Sequence, residues 1–103
     1  DLAIEIQARN VRAARFKSRI FAATRDIPML LPAVTCPVGA IWGDADNILE
    51  VSNTPLAHVF DILRAAQPNL TTAVVANAGH WAAYEAPDAF ADALTTMLDG
   101  FER

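Results

Sequence analysis

Only one cysteine, Cys36, occurs in 103 residues, so no disulfide can close within the chain and no cysteine-based metal site is available. A reduced, cytoplasmic setting fits that usage. Long apolar runs are missing too: 18 consecutive apolar residues occur nowhere, so neither a spanning helix nor a membrane partner is expected. Histidine is limited to His58 and His80. Neither has a second histidine or a carboxylate at metal-ligand spacing, so neither a zinc site nor any other cofactor is expected. The chain opens on Asp1 rather than methionine, without the charged start, apolar block and cleavage site of a signal peptide. The expectation is a piece of a longer polypeptide.

What is present is core material. The chain is 53% hydrophobic and 19% charged, a balance that suits a packed domain and argues against disorder. Its net charge of −4 is unevenly spread. Six of the eight basic residues (Arg9, Arg12, Arg15, Lys17, Arg19 and Arg25) precede position 26, which makes residues 1–25 +4 and residues 26–103 −8. A basic stretch can mark a nucleic-acid contact, for which affinity would fall steeply with salt. This one is short and is read as a solvated helix face, with no nucleic-acid partner.

Residues 2–23 contain neither Gly nor Pro and place Leu2, Ile6, Ala13, Phe16 and Ile20 near one side of a helical wheel, interrupted by Arg9. One helix is expected there, with no capping residue before it. Pro28, Pro32 and Pro37 punctuate a connection. Two short, nearly unbroken apolar runs, 38–42 and 72–76, read as parallel strands covered on both faces. Between them Asn53 or Thr54 can cap a helix starting at Pro55, with Leu56, Val59, Phe60 and Leu63 on its inner side. A last helix starts near Pro87, with Phe90, Leu94, Met97, Leu98 and Phe101 on one side and Gly100 placed to end it. The order is α-β-α-β-α, an α/β class with two parallel strands. Residues 1–33 form a helix and connection, and 34–103 a βαβα unit.

The loops after the two strands carry the chemistry. Gly43-Asp44-Ala45-Asp46 follows the first and Asn77-Ala78-Gly79-His80-Trp81 the second. Parallel strands release both loops at the same sheet edge, where ligands bind in open α/β folds, and neighbouring strands lie only about 4.8 Å apart. Asp46 and His80 can therefore meet across 34 positions of sequence. A carboxylate that accepts the Nδ1–H of an imidazole fixes its tautomer and stabilises the imidazolium formed when the other nitrogen takes a proton. Gly43 and Gly79 are expected to permit the sharp turns that aim these side chains. Asp44 is a competing acid in the same turn, and His58 reads as a partly exposed helix residue. Trp42 and Trp81 bracket the site as candidate walls for a small-molecule substrate.

The segment Cys36-Pro37-Val38-Gly39-Ala40-Ile41-Trp42-Gly43-Asp44-Ala45-Asp46 resembles the strand and turn that present the triad acid in α/β-hydrolases. Ala78-Gly79-His80-Trp81 with Tyr84-Glu85-Ala86-Pro87 resembles their histidine loop and the start of their final helix. The likeness covers roughly residues 34–101. It implies that the chain is the C-terminal portion of an α/β-hydrolase fold, with Asp46 as triad acid, His80 as base and Glu85 in a structural place. The implied activity is serine-type hydrolysis of an ester, an acyl bond or an activated carbon–carbon bond. The family nucleophile sits in a Gly-x-Ser-x-Gly elbow. Ser18 and Ser52 are the only serines here and neither is flanked by glycines. The nucleophile and most oxyanion donors are thus expected from a missing N-terminal segment, and the chain alone is expected to be inactive. Asn10, Arg12, Arg15, Phe16, Lys17 and Arg19 resemble the cap-to-core connection of some carbon–carbon bond hydrolases and esterases, which implies an acidic or carboxylate-bearing substrate. A reading of another class is a non-catalytic half-fold that self-associates, because two strands alone leave unpaired edges and apolar faces.

Overall fold

The computed structural model describes residues 1–15 and 26–102. Within these, six α-helices and a two-stranded parallel sheet make a mixed α/β arrangement. The sheet pairs β1 (Gly39–Gly43) with β2 (Thr71–Val75), from Gly39 opposite Thr71 to Gly43 opposite Val75. Each strand sits one residue away from its expected span, β1 later and β2 earlier.

Helix α1 spans Leu2–Ala13, and the Asp1 side chain caps it by accepting from the Ala3 N–H at 3.0 Å. The expectation of an uncapped helix is corrected, because the first residue itself supplies the oxygen. Glu5 and Arg9 pair one turn apart on its surface. The helix stops well short of 23: Ala14 takes an extended backbone, and the remainder of the expected helix, including Phe16 and Ile20, lies outside the described residues. None of its residues is buried, so the apolar stripe does not serve as a core face.

The proline-bearing connection is helical rather than irregular. Asp26–Leu30 forms α2 and Leu31–Ala33 a 3-10 turn. Pro28 and Pro32 fall in first turns, where a missing N–H costs no hydrogen bond. Gln67 ties this segment down by donating from Nε2 to the Leu31 and Val34 carbonyls.

After β1 comes a helix too short to show periodicity, α3 (Asn47–Val51), then α4 (Leu56–Ala66). Pro55 is the residue before α4, not its first helical position. The expected stripe faces inward. Phe60 is buried, and Leu56, Val59 and Leu63 are half-buried. Burying a phenylalanine contributes about 2 kcal/mol.

Past β2, the turn α5 (Ala82–Glu85) leads into α6 (Pro87–Phe101), which packs on both strands. Its inner face is Phe90, Ala93, Met97 and Phe101, whereas Leu94 and Leu98 are 39% and 51% exposed. The expected stripe is therefore rotated: steps of three and four from Phe90 pass through Ala93, which packs closer than a leucine could. Gly100 does not end α6, which continues through Phe101. Met97 reaches Gly39 so closely that its sulfur occupies the space of a Cβ there. The small core is Val75, Ala78 and Ala82, with Ile41, Ala86 and Phe90 packed against it. Val74 points the other way and is half exposed, so β2 is not covered on both faces as expected.

Candidate functional site

Both strands deliver their loops to one rim, and the backbone ladder continues beyond the last strand pair. The Asp44 N–H donates to the Val75 carbonyl at 3.1 Å and the Ala45 N–H to the Ala78 carbonyl at 2.9 Å. The Asp44 carboxylate adds a third link by accepting from the Asn77 N–H at 2.7 Å. Asn77 turns the chain with a φ of 57°, a left-handed conformation that asparagine tolerates better than most residues.

The glycines act differently from the expectation. Neither Gly43 nor Gly79 has a positive φ. A Cβ on Gly43 would instead run into the Ala78 and Gly79 carbonyl oxygens, and one on Gly79 into the Glu85 carboxylate. Their contribution is close approach, which lets the two loops touch.

That contact brings Asp46 and His80 together. His80 Nδ1 lies 3.0 Å from Asp46 Oδ2. The other oxygen, Oδ1, caps α3 by accepting the Ile48 N–H at 2.8 Å, so one carboxylate serves as helix cap and imidazole partner at once. The Trp42 indole Nε1–H also donates to Oδ2, at 2.7 Å. Asp46 is 4% exposed. Burial is the strongest influence on it and pushes its carboxyl up; the hydrogen bonds from His80, the Ile48 amide and Trp42, with the His80 charge, outweigh burial and leave it below the ordinary carboxylate value.

His80 is exposed on its far side and faces a cavity of about 430 Å³ lined by Ile41, Trp42, Gly43, Trp81, Ala82, Ala83, Tyr84 and Phe90. Trp81 is 40% exposed and meets Tyr84 edge to face, with ring centroids 6.2 Å apart. It also borders a second, mostly apolar groove of about 620 Å³, whose other wall is Ala3, Ile4, Gln7, Ala8, Val11 and Arg12 of α1. Trp42 and Trp81 thus both line the cavity, and the polar edge of Trp42 is committed to the acid.

The chain matches no family model, curated protein or solved structure.

Asp44 is engaged with Asn77 and makes no contact with His80, which separates it from Asp46. His58 is exposed in the first turn of α4 and has no hydrogen bond to Asp46 or His80. Ser52 Oγ lies within hydrogen-bonding distance of the Leu49 carbonyl (3.1 Å) and Thr54 Oγ1 (3.0 Å), while Ser18 lies outside the described residues. Cys36 is exposed and precedes β1, at the opposite end of the sheet from the rim. No cluster of three or more His, Cys, Asp or Glu side chains able to hold a metal occurs among the described residues. No helix among them is long and apolar enough to cross a membrane.

Glu85 has a role that residue type alone does not reveal. Its two oxygens accept from the Gly79 N–H at 2.8 Å and the Trp81 N–H at 3.1 Å, the amides on either side of His80. The structural place expected for Glu85 becomes specific here; the clamp itself shows in the sequence only as an acid five residues after the histidine, one helical turn beyond Trp81.

Proposed function

We propose that this chain contributes the acid and base of a serine-type α/β-hydrolase, Asp46 and His80, and that the nucleophile belongs to a part of the polypeptide outside these 103 residues. The observation that carries this reading is the 3.0 Å contact between His80 Nδ1 and a buried Asp46 oxygen at the rim of two parallel strands. With Nδ1 held by the carboxylate, Nε2 is the nitrogen left to accept a proton.

The chemistry follows in two halves. A hydroxyl nucleophile attacks the carbonyl carbon of the substrate while His80 Nε2 takes its proton, and Asp46 stabilises the resulting imidazolium. The tetrahedral intermediate collapses, the carbon–leaving-group bond breaks, and His80 returns the proton to the leaving group. Water then repeats the sequence on the acyl intermediate, releasing the acid and the free hydroxyl. An ester, an acyl bond or an activated carbon–carbon bond fits this cycle. The test is hydrolysis of a simple aryl ester by the full-length protein. His80→Ala and Asp46→Asn should each lower the rate by several orders of magnitude, on the order of 10⁶ for the base and 10⁴ for the acid. Rates equal to the unmodified protein's would end this reading.

One observation favours a second reading, a non-catalytic unit that self-associates: Ile27, Met29, Leu30 and Val51 are each 67–88% exposed, beside a sheet of two strands among the described residues. Sedimentation at low concentration separates the two readings. A folded dilute monomer counts against self-association.

A further inference from the structure

A buried carboxylate that depended on a mobile histidine would be left without a partner each time the ring turned away. Asp46 has three donors and only one of them is His80. The Trp42 indole and His80 Nδ1 converge on the same oxygen, Oδ2, at 2.7 Å and 3.0 Å, and an oxygen with two lone pairs accepts both. The two donors differ in how they are held. Trp42 belongs to β1, paired through its backbone position with Val74, whereas His80 projects from a loop with 47% of its side chain exposed.

We propose that Trp42 is a positioning residue for the pair: its indole N–H, anchored on the sheet, fixes Oδ2 of Asp46 and keeps that oxygen satisfied when the imidazole is displaced. The designation rests on the proposed hydrolase reading only in naming what the pair is positioned for. The anchoring itself needs no nucleophile. It also separates Trp42 from Trp81, whose indole nitrogen has no such partner among the described residues: Trp81 is a wall of the cavity, and Trp42 a wall whose polar edge acts through the acid. Burial raises the carboxyl and the indole is one of the donors opposing it, so losing the indole should make Asp46 easier to protonate. Among the described residues, ionisable groups that line the adjoining pockets or clamp the histidine loop are Asp44 in the same turn, Glu50 on α3, Tyr84 and Glu85 on α5, and Arg12 on α1.

The experiment is an NMR titration of the full protein. It follows the Asp46 carboxyl carbon and the Trp42 Nε1–H signal in the unmodified protein, and the carboxyl carbon in Trp42→Phe. The indole signal should move with the Asp46 midpoint, and in Trp42→Phe that midpoint should shift upward. An unchanged midpoint in a folded Trp42→Phe protein overturns the proposal. If that variant does not fold, the indole signal decides: one that stays fixed while Asp46 titrates overturns it equally. None of these signals depends on turnover, so a protein that hydrolyses nothing can still pass, and an active hydrolase with an unmoved midpoint fails this proposal alone.

Discussion

Glu85→Ala isolates the clamp around His80 without touching His80 itself. The substitution removes two acceptors, one at 2.8 Å from the Gly79 amide and one at 3.1 Å from the Trp81 amide. A hydrogen bond to a charged group contributes about 1.5–3 kcal/mol when shielded from water. Glu85 is exposed, so water competes for both amides and a discounted value of about 1 kcal/mol per bond is appropriate. The loop should then open more readily by about 2 kcal/mol, a factor of about 30. Amide hydrogen exchange reads this directly: Gly79 and Trp81 should exchange about 30-fold faster, while amides in the interior of α4 keep their rates. Glu85→Gln retains one carbonyl oxygen and turns an amino group towards the other N–H, so it should fall between the two. In an active full-length protein the loss belongs in kcat, because the loop orients the base. Unaltered exchange at both amides in Glu85→Ala would refute the clamp.

Three further outcomes follow from the same geometry. Asp46 has a lowered folded-state value, so its stabilising contribution is present above the unfolded carboxyl value of about 3.9 and is lost as pH falls through the lower folded value; urea midpoints measured from pH 5 to 2 should show that loss, and Asp46→Asn should flatten it. Gly43→Ala forces a methyl against the Ala78 and Gly79 carbonyls and should cost about 1–3 kcal/mol in urea unfolding, since backbone on both sides must move. Asn77→Gly should be tolerated at its φ of 57°, whereas Asn77→Val should destabilise by about 1–2 kcal/mol in the same assay.

The parts of the fold that sequence exposes are those with repeated signals. Two apolar runs become the paired strands, and the spacing of Leu56, Val59, Phe60 and Leu63 becomes the inner face of α4. Elements of one turn, α3 and α5, carry too few residues to show a period. The end of α1 at Ala13 is invisible for another reason: nothing at Ala14 or Arg15 breaks a helix, and propensity is a weak guide where tertiary contacts are few. In α6, choosing Leu94 over Ala93 as the inward residue follows hydrophobicity, whereas the packing follows closeness of approach. At the site, the meeting of Asp46 and His80 is legible because each lies a few residues past its strand, three beyond Gly43 and five beyond Val75. The Trp42 indole and the Glu85 clamp are not, since both depend on which way a side chain's polar end turns.

The Asp46–His80 contact owes its geometry to register more than to either residue. Beyond Gly43 and Val75 the two chains stay bound through Asp44 to Val75, Ala45 to Ala78 and the Asp44 carboxylate to Asn77, so the loops are extensions of the ladder rather than free connections. A slip of one residue would move one loop by about 3.3 Å along the other and reverse the faces of every side chain on that strand. His80 Nδ1 and Asp46 Oδ2 are 3.0 Å apart, so such a slip would break their bond outright. Two features oppose it. Val75 is 2% exposed and would have to leave the core, and the Gly43 approach to Ala78 and Gly79 fits only where no Cβ intervenes. The adjoining Trp42 and Asp44 side chains cannot take that place. A short sheet can therefore hold two distant residues in hydrogen-bonding range, because its register is fixed at the end where they meet.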